Sequence, residues 1–172
     1  YDIAIDDRYY WIASWAGGLR RLNRSDITEG WKRVPLPDDN RTDFLCGQQY
    51  DDYQLNPRDP PQGSHNHKAF SVISYGKEKI DLAISYLDTV WVGTANGINR
   101  GIMDASYDPE TGKWEADSEC VDWKHYSFPT SSMSGNWVIA IEKQEWKGQR
   151  TIWAVTRAAD QAGEENGISF TQ

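Results

Sequence analysis

The residues in this chain of 172 whose types could do chemistry are three histidines and several runs of carboxylates. His65 and His67 stand in "SHNHK". On a strand, His-x-His would point both imidazoles to one face and begin a metal site. Here the surrounding residues read as a loop, no third ligand follows in sequence, and His125 lies far along the chain. The pair is therefore read as solvated loop positions. "DDNRTD" and "DDYQLNPRD" supply Asp38, Asp39, Asp43, Asp51, Asp52 and Asp59, and "DASYDPETG" supplies Asp104, Asp108 and Glu110. Oxygen-rich loops can hold calcium, but none of this spacing matches an EF-hand. Asp beside Pro and Gly is first of all turn chemistry. Paired carboxylates also hydrolyse glycosidic bonds, which requires a defined separation that nothing in the sequence sets. No serine sits in a nucleophile elbow, and no glycine-rich loop would cradle a phosphate. No catalytic, cofactor-binding or metal-ligating residue is assigned, and calcium is the one cofactor kept as an alternative.

Composition narrows the class. Acidic residues outnumber basic ones 26 to 18, a net charge of -8, which argues against a nucleic-acid surface. Hydrophobic content is 38%, low for a packed α/β enzyme, while nine Trp and nine Tyr stand out. A core of aromatic and β-branched residues favours strands. No apolar run is long enough to cross a membrane as a helix. Cys46 and Cys120 lack metal-ligand spacing; one long-range disulfide and two free thiols both stay open. The chain begins at Tyr1 in a stretch that already reads as strand, which suggests processing upstream.

The elements that must position any site repeat. "RYYWIASWAGGLRRLN" (8–23), "DTVWVGTANGINRG" (88–101) and "RTIWAVTRAADQAGEENGISFT" (150–171) each run from β-formers through Trp to a small residue and a Ser or Thr. A glycine-bearing turn and a second apolar run follow each time. Such internal similarity is the first sign of a repeat architecture. The spacing predicts three units, at about 1–35, 68–130 and 134–172, with a long loop at 36–67 that is either functional or poorly ordered. Strands are expected at "DIAI", "RYYWIAS", "LRRLN" and "WKRV" in the first unit, four short strands in hairpin succession. In the second, "KAFSVISYG", "TVWVGT", "GINR" and 114–128 read as strands, and 77–88 as a strand connection or short helix. "GNWVIAIEKQ" opens the third unit and is apolar on both faces as far as Glu142, so both faces should be covered. With "TIWAVT" and "GISFTQ" the unit holds three strands in all.

Laid out this way, "YYWIASWAGGLRRLN" and "TVWVGTANGINRG" resemble the two-component-regulator propeller repeat, and "TIWAVT…NGISFTQ" is similar to the BNR repeat of sialidase-like propellers. The resemblance implies an all-β fold, a β-propeller of four-stranded blades, here an incomplete arc of about three. Closure typically takes about 4–8 blades, so the expectation is a segment of a larger chain or a ring completed by a partner. The resemblance also implies structural roles. Trp11, Trp91 and Trp153 fill the space between blades. Gly93 and Thr94 lie where backbones come close. Gly18, Gly97 and Gly167 serve the hairpin turns, with Thr156 in the place of Thr94. The sialidase arginines and nucleophilic tyrosine have no matching motif, so no catalytic residue carries over.

Function is expected at surfaces. Trp15, Trp31, Trp114, Trp123 and Trp146 exceed what the repeat needs, and some of them, Trp146 and Trp15 first, would line a surface for a glycan or a peptide. The preferred reading is a non-enzymatic binding, sensing or scaffold module of an exported bacterial protein, extracellular, at the cell surface or periplasmic. A glycan-active enzyme domain is the alternative, and a subunit held within a larger complex is a third.

Overall fold

The computed structural model describes residues 1–45, 48, 64–79, 86–108, 113–159 and 161–171, with the side chains of 76–79, 86–87, 104–108 and 113–120 outside that description. The chain is all-β, in three antiparallel sheets, none of them closed. The first sheet is a meander of β1 (Asp2–Ile5), β2 (Tyr9–Ser14), β3 (Gly18–Asn23) and β4 (Lys32–Val34). The second contains β5 (Asp43–Phe44), β6 (Ala69–Lys79), β7 (Tyr86–Thr94), β8 (Gly97–Asp108) and β9 (Lys113–Tyr126), in the order β5-β9-β8-β7-β6. The third is β10 (Trp137–Trp146), β11 (Gln149–Arg157) and β12 (Gly167–Thr171). The second sheet thus has five strands where four were expected, because β5 forms inside the presumed loop and pairs with β9. The reading of 77–88 as strand connection holds at both ends, where β6 runs to Lys79 and β7 starts at Tyr86.

Alternation explains the stacking. In β2, Tyr9, Trp11 and Ala13 are buried while the residues between them are half-buried. They face the second sheet, where Val72, Val90, Val92, Val121 and Trp123 meet them. The opposite face of the second sheet carries Tyr75, Trp91 and Ile98, which pack on Val138, Ile141, Ile152 and Ala154 of the third. Consecutive residues of β7 therefore serve two different cores: Val90 and Val92 one, Trp91 the other. Each fully buried large apolar side chain contributes about 1.5–3 kcal/mol.

The inner strands β1, β6 and β10 lie side by side and run the same way. Two side-chain bonds stitch them at matching places. The Asp2 carboxylate accepts from the Val72 amide at 2.9 Å, and the Ser71 hydroxyl accepts from the Ile141 amide at 3.0 Å. A register shift, a β-bulge, precedes each donating amide, between Ala69 and Ser71 before Val72 and between Val138 and Ala140 before Ile141. The second bulge corrects one expectation. β10 is not covered on both faces, because the extra residue Ile139 breaks the alternation and lies 47% exposed, with Ala140 exposed beside it.

The segment around the long loop is also corrected. Its ends are core: Leu36 and Asn66 have no exposure and His67 has 3%. His67 turns inward onto the Leu36 carbonyl at 2.6 Å, so only His65 fits the solvated reading. Residues 46–47 and 49–63 lie outside the described residues, and with them Cys46, Asp51, Asp52 and Asp59. So do Glu110 and the side chains of Asp104, Asp108, Trp114 and Cys120, and therefore the disulfide and the second calcium reading.

The second and third sheets come close together at Gly93. A Cβ there would lie 2.6 Å from Val138 Cγ1 and 2.8 Å from the Val138 carbonyl oxygen. Gly93→Ala should lower unfolding free energy by about 1–3 kcal/mol, read from the shift of the urea midpoint. An unchanged midpoint would show that the two sheets do not meet at that distance.

Candidate functional site

At the N-terminal ends of the inner strands, rings from all three sheets converge. Trp15, in the turn after β2, lies 5.3 Å from Phe70 on β6 and 6.0 Å from Trp137 on β10. Phe70 and Trp137 are 6.0 Å apart, and Tyr1 meets Phe70 edge-on at 6.1 Å. Phe70 is the residue left over by the bulge in β6, which aims its ring out of the ladder. The three central rings are half-buried, and Tyr1 is 84% exposed. Two cations flank them: Lys68 Nζ lies 5.2 Å from the Trp15 ring, and the Arg157 guanidinium lies 5.8 Å from Trp137. Chemically this is an apolar, π-rich platform with positive charge at its margin. It suits a flat partner with a weakly polar face, such as a sugar ring, or the side chains of a peptide.

Beside the platform lies a polar network at the β7–β8 turn, buried at Ser64, Asn66, Thr94 and Asn99 and exposed at Asp39. Asp39 accepts hydrogen bonds from the Ser64 hydroxyl (2.9 Å), the His65 amide (2.9 Å), the Asn66 amide (2.7 Å) and Asn96 Nδ2 (3.1 Å). Asn66 and Asn99 exchange reciprocal amide bonds of 2.9 and 2.8 Å, and Asn66 also donates to the Pro37 carbonyl at 2.7 Å. The Thr94 hydroxyl lies within 2.7 Å of Asn66 Oδ1 and 2.9 Å of the Gly97 carbonyl. The ring nitrogens of His125 face the carbonyls of Arg41 and Asn96. The network fixes the loop ends and, next to them, Lys68. Asp26 serves a smaller turn, Ile27–Glu29. The Thr28 hydroxyl and then the Thr28 amide hold its carboxyl below the usual carboxylate range.

Toward the other end of the same strands lies a polar cleft of about 220 Å³, with Asp6, Asp7 and Arg8 from the first sheet, Ser74 and Asp88 from the second and Lys143 from the third. Two of its carboxylates, Asp6 and Asp88, are engaged. Asp6 accepts from the amides of Arg8 and Tyr9 at 2.8 and 2.7 Å and from Trp11 Nε1 at 2.6 Å. Asp88 pairs with Arg8 at 3.3 Å. Among the described residues, no three His, Cys, Asp or Glu come together in a way that could hold a metal ion.

The residues singled out by the repeat take related places. Ser14 pairs with Gly18, Thr94 with Gly97 and Thr156 with Gly167. Gly18 and Gly97 have φ of +66° and +103°, and a Cβ on Gly97 would fall 2.1 Å from the Tyr126 carbonyl. The Thr156 hydroxyl donates to the Gly167 carbonyl at 3.3 Å, as Thr94 does to Gly97. Trp11 is buried between the first and second sheets, and Trp91 between the second and third, stacked on Tyr126 at 6.3 Å. Trp153 differs. It stands on the outer face of the third sheet against Phe170, at 5.1 Å, with its Nε1 donating to Gln144 Oε1 at 3.0 Å. Of the surplus tryptophans, Trp123 is corrected from surface to core, at 1% exposure, because it wedges between the first and second sheets. Trp31 and Trp146 are exposed. Trp146 ends β10, about 30 Å along the strand from Trp137, so the two surface candidates Trp15 and Trp146 are not one site.

The sequence named Trp15 and missed Tyr1, Lys68, Phe70, Trp137 and Arg157. Phe70 and Trp137 sit inside stretches that read only as strand, and nothing local marks residues so far apart as neighbours. The bulges could not be read either, since both depend on a pairing partner. Comparison with protein-family models, curated proteins and solved structures gives no match for this chain.

Because Asp39 accepts four bonds, Asp39→Ala leaves several donors without a partner. The Asp39 carboxylate is exposed, so water replaces it at some of these donors, and the loss should be about 1–2 kcal/mol of stability, measured by denaturant unfolding. The substitution should also release the Trp15–Lys68 corner, seen as a red shift of tryptophan emission. A loss below about 0.5 kcal/mol would place the carboxylate outside the network.

Proposed function

We propose that the three stacked sheets are consecutive blades of a β-propeller arc, and that this arc is a non-catalytic binding module of an exported bacterial protein. Several observations support the arc. Each sheet pairs a hydroxyl residue with the glycine opening its third strand. Trp11 and Trp91 occupy the same place in two successive interfaces. Asp2 and Ser71 repeat one bond between inner strands. The remainder of a longer chain or a partner completes the ring.

The observation that carries the binding reading is the meeting of Trp15, Phe70 and Trp137, one ring from each sheet, beside the exposed Tyr1. Half-exposed rings held by a rigid scaffold give contact area at little entropic cost, and Trp and Tyr concentrate where binding energy does. The ligand is a glycan or a protein surface, stacked on the rings near Lys68 and Arg157.

The second reading, a glycan-active enzyme, is favoured by one observation: acidic and basic side chains from all three sheets share the cleft of Asp6, Asp7, Arg8, Asp88 and Lys143. Against it, Asp6 and Asp88 are already occupied by amides, an indole and a guanidinium.

A panel of neutral and acidic oligosaccharides and peptides, titrated by calorimetry, tests the choice. At least one ligand should bind with a Kd below about 1 mM, and Trp137→Ala should weaken it at least tenfold, about 1.4 kcal/mol. Binding that survives Trp137→Ala and Trp15→Ala would sink the platform. Glycan cleavage abolished by Asp88→Asn would favour the enzyme.

A further inference from the structure

Lys68 joins the loop to β6, and its main chain is held on both sides. Its amide donates to the His65 carbonyl at 3.0 Å, and its carbonyl accepts from the Ala95 amide at 3.0 Å. The side chain runs from this fixed point to the Trp15 ring, where Nζ lies 5.2 Å from the centre. The residue is 7% exposed. Among the described residues, no carboxylate pairs with its ammonium and no acceptor takes a hydrogen bond from it. An ammonium taken out of water calls for an opposite charge, and an aromatic face returns only part of what hydration supplied.

A second cation stands nearby in the same way. Arg157 pairs with Trp137 across β10 and β11, and its guanidinium lies 5.8 Å from that ring. Among the described residues no carboxylate pairs with it either. The chain as a whole carries a net charge of -8, so this positive margin runs against the average of the molecule. The rings between the cations define a shape. Their planes are inclined at 52° for Trp15 and Phe70, 74° for Trp15 and Trp137, and 43° for Phe70 and Trp137. Rings so inclined line a shallow cup, which suits a puckered ring with C–H groups on both faces.

From the buried cation beside this cup we infer that the platform binds an acidic sugar, a pyranose carrying a carboxylate. The sugar ring packs on Trp15, Phe70 and Trp137, its carboxylate takes the Lys68 ammonium, and Arg157 is the second cation within reach of the ligand. A sugar acid holds its charge on the ring through a single bond, so stacking and ion pairing are made together at little cost in ordering. An Asp or Glu of a peptide carries the charge on a flexible stem with no ring beside it. The inference rests on the platform as the binding site and adds the charge and class of its ligand.

The probes are trigalacturonate and its methyl ester, which share a skeleton and differ in charge. The acid should bind with a Kd below about 1 mM, and the ester at least about tenfold more weakly. Lys68→Met keeps an apolar stem and removes the charge. It should bring the acid to the level of the ester, leave the ester unchanged, and leave circular dichroism as it was. Arg157→Gln, at an exposed position, should weaken the acid about twofold to fivefold and spare the ester. Trp137→Ala should weaken both probes alike. Acid and ester binding equally, both lost in Trp137→Ala, would overturn the acidic ligand and leave the platform standing. Acid binding that ignores both Lys68→Met and Trp137→Ala would lie elsewhere and remove the two readings together. No binding of the acid at about 1 mM would also overturn the inference, and an Asp-rich peptide bound through Trp137 in its place would assign the platform to a protein partner.

Discussion

With a sheet packed against each of its faces, the second sheet is apolar on both sides along the middle of β7. Val90 and Val92 answer to the first sheet, Trp91 to the third. That constraint propagates outward. The tryptophan-bearing strand must be apolar on both sides, which is why it reads as a continuous run and not as an alternation. The neighbouring backbones must come within van der Waals distance of it, which is why Gly93 faces Val138. Polar groups trapped near the interface must bond to one another, and the Asn66–Asn99 pair with Thr94 does so without exposure.

Side-chain bonds from one inner strand to the next main chain tie each sheet to its neighbour. Asp2 to Val72 and Ser71 to Ile141 are chemically different acceptors performing one task. With three inner strands held nearly in register, their N-terminal ends gather aromatic rings and their opposite ends gather charge. Aromatic and charged side chains therefore collect along the line where the sheets converge, while the outer face of the third sheet keeps Val155, Ile168 and Phe170 exposed beside Trp153.

The loop at 36–67 shows how a segment without periodicity can still be structural. Leu36, Asp39, Asn66 and His67 act as a plug for the second sheet's main turn. Their polarity comes from bonding the turn's amides and carbonyls, not from solvation. Composition alone gave no way to separate these two reasons for a polar stretch.

What the sequence determined by itself was local. Strand after strand, the glycine turns, the three-fold recurrence of Trp followed by a hydroxyl residue and the all-β class follow from β-propensity, alternation and backbone freedom at Gly18 and Gly97. What only the tertiary structure decided was which residues meet. Phe70 and Trp137 joined Trp15 because bulges and inter-sheet bonds aligned their strands. His67 and Trp123 turned inward because the opposing sheet left room for them. β5 was added to the second sheet by a pairing of two residues, too short to carry a pattern. Each of these depends on contacts between residues distant in the chain, and no periodicity within a strand encodes them.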